Sequence, residues 1–130
     1  MGQSNVSGLA INVSVVPSYR ADESNDGESR YVFSYTVTVH NQSPHSVQLM
    51  ARYWKITQGS GDCQEVRGKG VVGQQPLIGP GQSFRYTSRA ILQTPVGVME
   101  GAYTLLDTST QRVFEVAITP FRLAVPLQLH

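Results

Sequence analysis

The stretch Tyr31-Val32-Phe33-Ser34-Tyr35-Thr36-Val37-Thr38-Val39 decides the fold. Aromatic and aliphatic side chains take the odd positions and, after Val32, small polar ones take the even positions. That period of two suits an extended strand with one buried face. The rhythm recurs on both sides. Leu9, Ile11, Val13 and Val15 alternate with polar or small partners until Pro17, which is expected to close the strand. Val47, Leu49, Ala51 and Tyr53 share one face of the next run. Phe84, Tyr86 and Ser88 oppose Arg85, Thr87 and Arg89, and residues 98–106 and 113–118 give two more strands. Phe121, Leu123 and Val125 make a last one.

Turn chemistry separates these runs. Asp26-Gly27 and Asn41-Gln42-Ser43-Pro44 flank the central strand, and Gly59-Ser60-Gly61 reverses a hairpin between residues 54–57 and 63–66. Residues 107–110 sit between two late strands. No window carries the three-four spacing of an amphipathic helix. The expected fold is all-β, an immunoglobulin-like or fibronectin type III-like antiparallel β-sandwich of about seven or more strands. The Cys–Trp–Cys pattern of antibody domains is absent, since Cys63 is the single cysteine.

Composition agrees with a small turn-rich β protein. The 130 residues include 12 Gly and 7 Pro, with 40% apolar and 15% charged residues. That length suits one domain spanning 1–130, with 1–8 as a flexible N-terminus. A net charge of +1 is too small to argue for nucleic acid or an anionic membrane surface. A lone cysteine allows no internal disulfide and fits a reducing compartment. Residues 1–9 lack the basic and apolar regions of a signal peptide, and no apolar run approaches the roughly 20 residues that cross a bilayer. Asn5, Asn12 and Asn41 each open an N-x-Ser triplet, a chance match without a secretory signal. The expected address is cytoplasmic, with no membrane insertion.

Two stretches interrupt the strands. Residues 19–30 form a polar loop with Asp22, Glu23, Asp26 and Glu28. It starts like a calcium loop, but Phe33 stands where the pattern needs its twelfth-position Glu. A mobile acidic loop is the simpler reading. Residues 68–81 hold five glycines and two prolines. Within them Gly68-Lys69-Gly70-Val71-Val72-Gly73 matches G-x-G-x-x-G. A dinucleotide fold needs that pattern to open a helix, and Gln74-Gln75-Pro76 followed by Gly79-Pro80-Gly81 forbids one. Two readings remain: glycines placed for tight turns, or backbone amides arranged as an anion nest. Arg67 and Lys69 flank the motif, and no acidic residue lies between Glu65 and Glu100. Arg85 and Arg89 share a strand face about 13 Å apart. They would make the loop electropositive if it folds near them, and they would otherwise be scattered solvated charges. The candidate anion-binding residues are Arg67, Gly68, Lys69, Gly70 and Gly73.

The catalytic inventory is thin. His40, His45 and His130 are dispersed, and Cys63 has no local base, whereas a nucleophilic dyad needs one within hydrogen-bond reach. No spacing of Cys, His and acidic residues suggests a metal site. No catalytic residue, metal ligand or cofactor is expected. Trp54 and the Tyr31, Phe33, Tyr35 stripe are expected in the core.

From Val66 the sequence resembles the ApaG family. Residues 66–76, VRGKGVVGQQP, and residues 79–88, GPGQSFRYTS, resemble its signature block. Thr94-Pro95 and residues 97–103 extend the likeness downstream. Residues 31–37, Val47-Gln48-Leu49 and Arg52-Tyr53-Trp54 extend it upstream. The resemblance implies a fibronectin type III-like sandwich, found as a free-standing bacterial protein and as a protein-interaction domain in some eukaryotic proteins. It also implies a link to cobalt resistance and magnesium efflux, and a nucleotide or pyrophosphate proposal at the glycines, here Gly68, Gly70 and Gly73. This chain departs from the family pattern with Tyr53 for a common His, Gln74 for a common Glu and Arg89 for a common Gly. Near the end, Thr119-Pro120-Phe121 stands for the usual Pro-x-Phe. The resulting expectation is a non-enzymatic binding module, a monomer or weak dimer, engaging another protein through a sheet edge or the 68–81 loop. The alternative is a nucleotide or pyrophosphate at 68–73.

Overall fold

A computed structural model describes residues 3–6 and 9–127. Residues 1, 2, 7 and 8, which belong to the segment expected to be flexible, and His130 lie outside the described residues. Among the described residues nine strands form two antiparallel sheets. The first has the order β1 (Gln3–Val6), β2 (Leu9–Tyr19), β3 (Tyr31–Asn41), β7 (Ser83–Leu92). The second has the order β5 (Cys63–Lys69), β4 (Val47–Gln58), β8 (Val96–Asp107), β9 (Arg112–Ala124), with β6 (Leu77–Ile78) also paired to β4.

The period of two does what it implies. Phe33, Val37 and Val39 of β3 are buried, opposite Ala90, Tyr86 and Phe84 of β7. From the facing sheet, Leu49, Trp54, Tyr103, Leu105, Val116 and Ile118 meet them. Trp54 is the aromatic hub, with ring centres 5.4 Å from Tyr35, 5.9 Å from Phe121 and 6.3 Å from Tyr103, all edge-on.

Four expectations change. Pro17 does not end β2, because among the described residues no strand pairs with the outer side of β2 beyond Asn12, and an edge tolerates a residue with no N–H. Residues 113–118 and 121–125 are not two strands. A bulge sets Thr119 and Pro120 against the single residue Glu100, so β9 runs through. The polar 19–30 stretch is pinned rather than mobile. It folds as two 3-10 turns, with Glu23 bound to Arg89 and Asp26 accepting from Tyr31. A second bulge, between Leu49 and Ala51, reverses the inside and outside of β4. Leu49 points inward before it, but Arg52 and Trp54 do so after it, and Tyr53 faces out.

The two sides of the sandwich differ. β2 packs against β9 and closes one side. On the other side the edge strands β5 and β7 stand apart, leaving an opening into the layer between the sheets.

Candidate functional site

The bulge in β4 turns a charged residue inward beside that opening. Arg52 pairs with Gly68 of β5, and its guanidinium lies across the glycine. A Cβ at Gly68 would stand 2.7 Å from Cζ and both Nη atoms. From there Arg52 Nη1 donates to the carbonyl oxygens of Lys69 at 3.2 Å and Gly70 at 2.9 Å. Gly70 turns the chain with φ +62 at a point where a Cβ would meet the Gln74 carbonyl oxygen at 2.1 Å. Val71 and Gln74 then exchange two N–H···O bonds of 2.8 Å. Between them Val72 and Gly73 have φ of 43 and 77, the double positive φ of a two-residue hairpin turn.

Each glycine of G-x-G-x-x-G therefore has a local cause. Gly68 clears a path for a side chain, Gly70 allows a close backbone approach, and Gly73 supplies a turn. The amides are largely committed. The Gly70 N–H bonds the Met50 carbonyl, and those of Val71 and Gln74 bond each other's residue. Ladder alternation also points the Gly68 N–H toward β4. Among the described residues, no backbone carbonyl takes the N–H of Val72 or Gly73.

The basic residues are divided between two faces. Arg67 and Lys69 are on the outer face of the second sheet, where Arg67 lies 4.4 Å over the Tyr53 ring. Tyr53 donates to Glu65 Oε1 at 2.5 Å, and that bond pushes its phenol pKa up. A shallow hollow of about 560 Å³, lined in part by Tyr53, Lys55, Arg67, Glu100 and Ala117, runs along this face. Arg85 and Arg89 are on the outer face of the other sheet, and Glu23 holds Arg89 through two bonds of 2.8 and 3.0 Å. The electropositive cluster that would join Arg85 and Arg89 to the glycine loop does not assemble.

What does assemble is a slot between β5 and β7. It comprises a cavity of about 220 Å³ and one of about 180 Å³ that share Tyr35, Arg52 and Ser88. Trp54 and Met99 line the first, and the Val71–Gly73 turn and Tyr86 line the second. Tyr35 and Ser88 are direct partners in the β3–β7 ladder. Behind them the Tyr86 and Tyr103 hydroxyls meet at 2.5 Å. Burial pushes the Tyr86 pKa up to about 12 and that of Tyr103 up as well, while Arg52 pulls both back. These phenols therefore stay protonated donors at neutral pH. No carboxylate lies within 4.0 Å of the Arg52 guanidinium among the described residues.

Elsewhere the chemistry is structural. His45 Nδ1 meets Asp107 Oδ2 at 2.9 Å beside a buried Asn41–Ser43 knot, in which the Ser43 hydroxyl bonds Asn41 Oδ1 and the His45 backbone and not the imidazole. His40 Nδ1 meets Ser83 Oγ at 2.6 Å on an exposed face, where no acid orients the ring. Among the described residues no three His, Cys, Asp or Glu side chains converge as a metal site. No helix among them is long and apolar enough to cross a membrane.

A family model described as the ApaG domain matches residues 21–107. The chain belongs to the ApaG family. It is 71% identical over 120 residues to the ApaG protein of Chromohalobacter salexigens, covering 92% of this chain and 94% of that one. It is 50% identical, with the same coverage, to the ApaG protein of Pseudomonas entomophila. A crystal structure described as an ApaA protein from Bordetella pertussis superposes with a TM-score of 0.88 at 45% identity, covering 92% of this chain and 97% of that one. In this ApaG-family chain the signature glycines surround an inward arginine. The sequence pattern hides Arg52, because strict alternation through the bulge assigns it to the outside, and Ser88 carries no signal of its own. The one available signal was Tyr53-Trp54, two adjacent large aromatics that cannot both face the core.

Proposed function

We propose that this ApaG-family chain is a non-enzymatic binding module that takes an extended segment of a protein partner along β5. The carrying observation is that β5 is an edge strand, whose outward N–H and C=O groups offer a template for strand addition. By the ladder alternation, Cys63, Glu65, Arg67 and Lys69 present the outward groups, of which the Lys69 carbonyl is taken by Arg52. The charged side chains of the last three discourage self-pairing and favour a partner of complementary charge. The link to cobalt resistance and magnesium efflux, carried by the family resemblance, is then exerted through such a partner, with no cation held by this chain.

Arg67→Pro tests this. It removes one outward N–H and leaves the bonds to β4 intact. A partner captured by affinity purification should protect residues 63–69 from amide exchange and be lost with Arg67→Pro at unchanged folding stability. Undiminished binding to that variant, or a footprint elsewhere, defeats the proposal. The second reading, a nucleotide or pyrophosphate held by Gly68, Gly70, Gly73, Lys69 and Arg67, has the free amides of Val72 and Gly73 in its favour. Amide shifts confined to 68–73 on adding pyrophosphate, and lost in Lys69→Ala, would reinstate it.

A further inference from the structure

We infer that the slot between β5 and β7 is a binding site for a single carboxylate, with the Arg52 guanidinium as its counter-charge and Ser88 and Tyr35 as hydroxyl partners. Three observations carry this. Arg52 is turned into the sandwich by a one-residue bulge and is kept at the opening by the absence of a side chain at Gly68. Nη1 is engaged by two carbonyls, but no hydrogen bond among the described residues uses Nε or Nη2. A guanidinium edge of that kind suits a planar carboxylate. The slot around it mixes apolar walls, Trp54, Ile56, Val66 and Met99, with the hydroxyls of Tyr35, Ser88 and Tyr86.

Charge and size define the ligand class. Arg89 borders the slot, but Glu23 occupies its guanidinium, so one uncompensated positive charge remains. That matches a monoanion, whereas a pyrophosphate brings several negative charges into a site with one counter-ion. The two cavities, about 220 and 180 Å³, each fall below the ~300 Å³ at which sites for drug-sized ligands begin. Each has room for a carboxylate on a short apolar arm. Such a group occurs on a free carboxylic acid and on an acidic side chain of a segment lying along β5. The second source rests on the partner reading above.

The experiment is an NMR titration that observes backbone amides and the Arg52 Nε–H. The probes are 3-phenylpropionate, its neutral amide, pyrophosphate, and a capped five-residue peptide with one central glutamate. The carboxylate should shift Arg52 Nε–H, Ser88, Val72 and Gly73 saturably, and the neutral amide should not. Arg52→Lys and Ser88→Val should each weaken it about tenfold, as expected for one charge-assisted hydrogen bond. Ser88→Val leaves the carbonyl contacts of Arg52 untouched and so guards against a folding artefact. Tighter binding of the peptide that is lost in Arg67→Pro assigns the carboxylate to a docked segment. Peptide binding indifferent to that variant assigns it to a free acid and counts against the edge-docking reading alone. Equal response to acid and amide, pyrophosphate shifts without carboxylate shifts, or full binding by both slot variants would overturn the inference.

Discussion

The three signature glycines can be separated by alanine substitution, because the structure assigns each a different cause. At Gly70 the new Cβ would stand 2.1 Å from the Gln74 carbonyl oxygen, with φ at +62. The left-handed conformation costs a residue with a Cβ about 1–2 kcal/mol, and overpacking against backbone that cannot swing away adds about 1–3 kcal/mol. Reduced freedom of the unfolded chain returns about 0.4–1 kcal/mol. The net for Gly70→Ala is about 3 kcal/mol, large for a domain of this size. At Gly73 φ is +77 with nothing within 4 Å, so only the conformational term applies and the net is about 1 kcal/mol. At Gly68 the obstacle is the guanidinium of Arg52, 2.7 Å away, the end of a flexible side chain. It can swing aside and give up a charge-assisted bond, for a net of about 1 kcal/mol. Urea denaturation of the three variants at neutral pH reads these values directly. A Gly70→Ala variant within 0.5 kcal/mol of the parent, or three equal losses, would refute this account of the motif.

Two titrations bear on the interior. Hydrogen bonds from the His45 ring, first, and from the Ser109 backbone N–H hold the Asp107 carboxyl below its usual pKa. A folded pKa below the unfolded one gives stability that is present above the ordinary carboxylate range and is lost as pH falls through the folded value. Denaturation midpoints should drop below about pH 4, and Asp107→Asn should flatten that acid limb. Superimposable parent and variant curves would contradict the assignment. At the alkaline end burial raises Tyr35, Tyr86 and Tyr103. With folded pKa values above the unfolded one, their contribution is complete below about pH 10 and declines above it. Ultraviolet titration should show these phenols ionising only as near-ultraviolet dichroism collapses. Full ionisation of the tyrosines in a still-folded protein would contradict their burial.

The fold was legible where burial has one consistent phase. β7 alternates throughout and β3 does so from Tyr35 onward, and the Gly59-Ser60-Gly61 turn lies between Thr57 and Cys63, a pair in the β4–β5 register. It was not legible where neighbours changed the rule. Pro17 looks terminal until one knows that the outer side of β2 is unpaired there, and a sequence does not announce its edges. Thr119 and Pro120 look like a break until Glu100 is set opposite them. The site was legible by location and not by chemistry. Glycines at 68, 70 and 73 mark the right turn, but a phosphate loop and an arginine channel both need small residues. Only the position of the Arg52 guanidinium distinguishes them. Arg67 and Lys69, attractive by proximity in sequence, point away from the slot by the ordinary alternation of a strand.

The bulge beside Met50 sets the phase of everything that follows it in β4. Were the same residues to run straight through with no bulge, the side chains after Leu49 would be counted out in the opposite order. Tyr53 and Lys55 would be driven between the sheets, while Arg52 and Trp54 would be put into water. The interior chemistry of this half of the domain is thus governed by the local register of the backbone as much as by residue type.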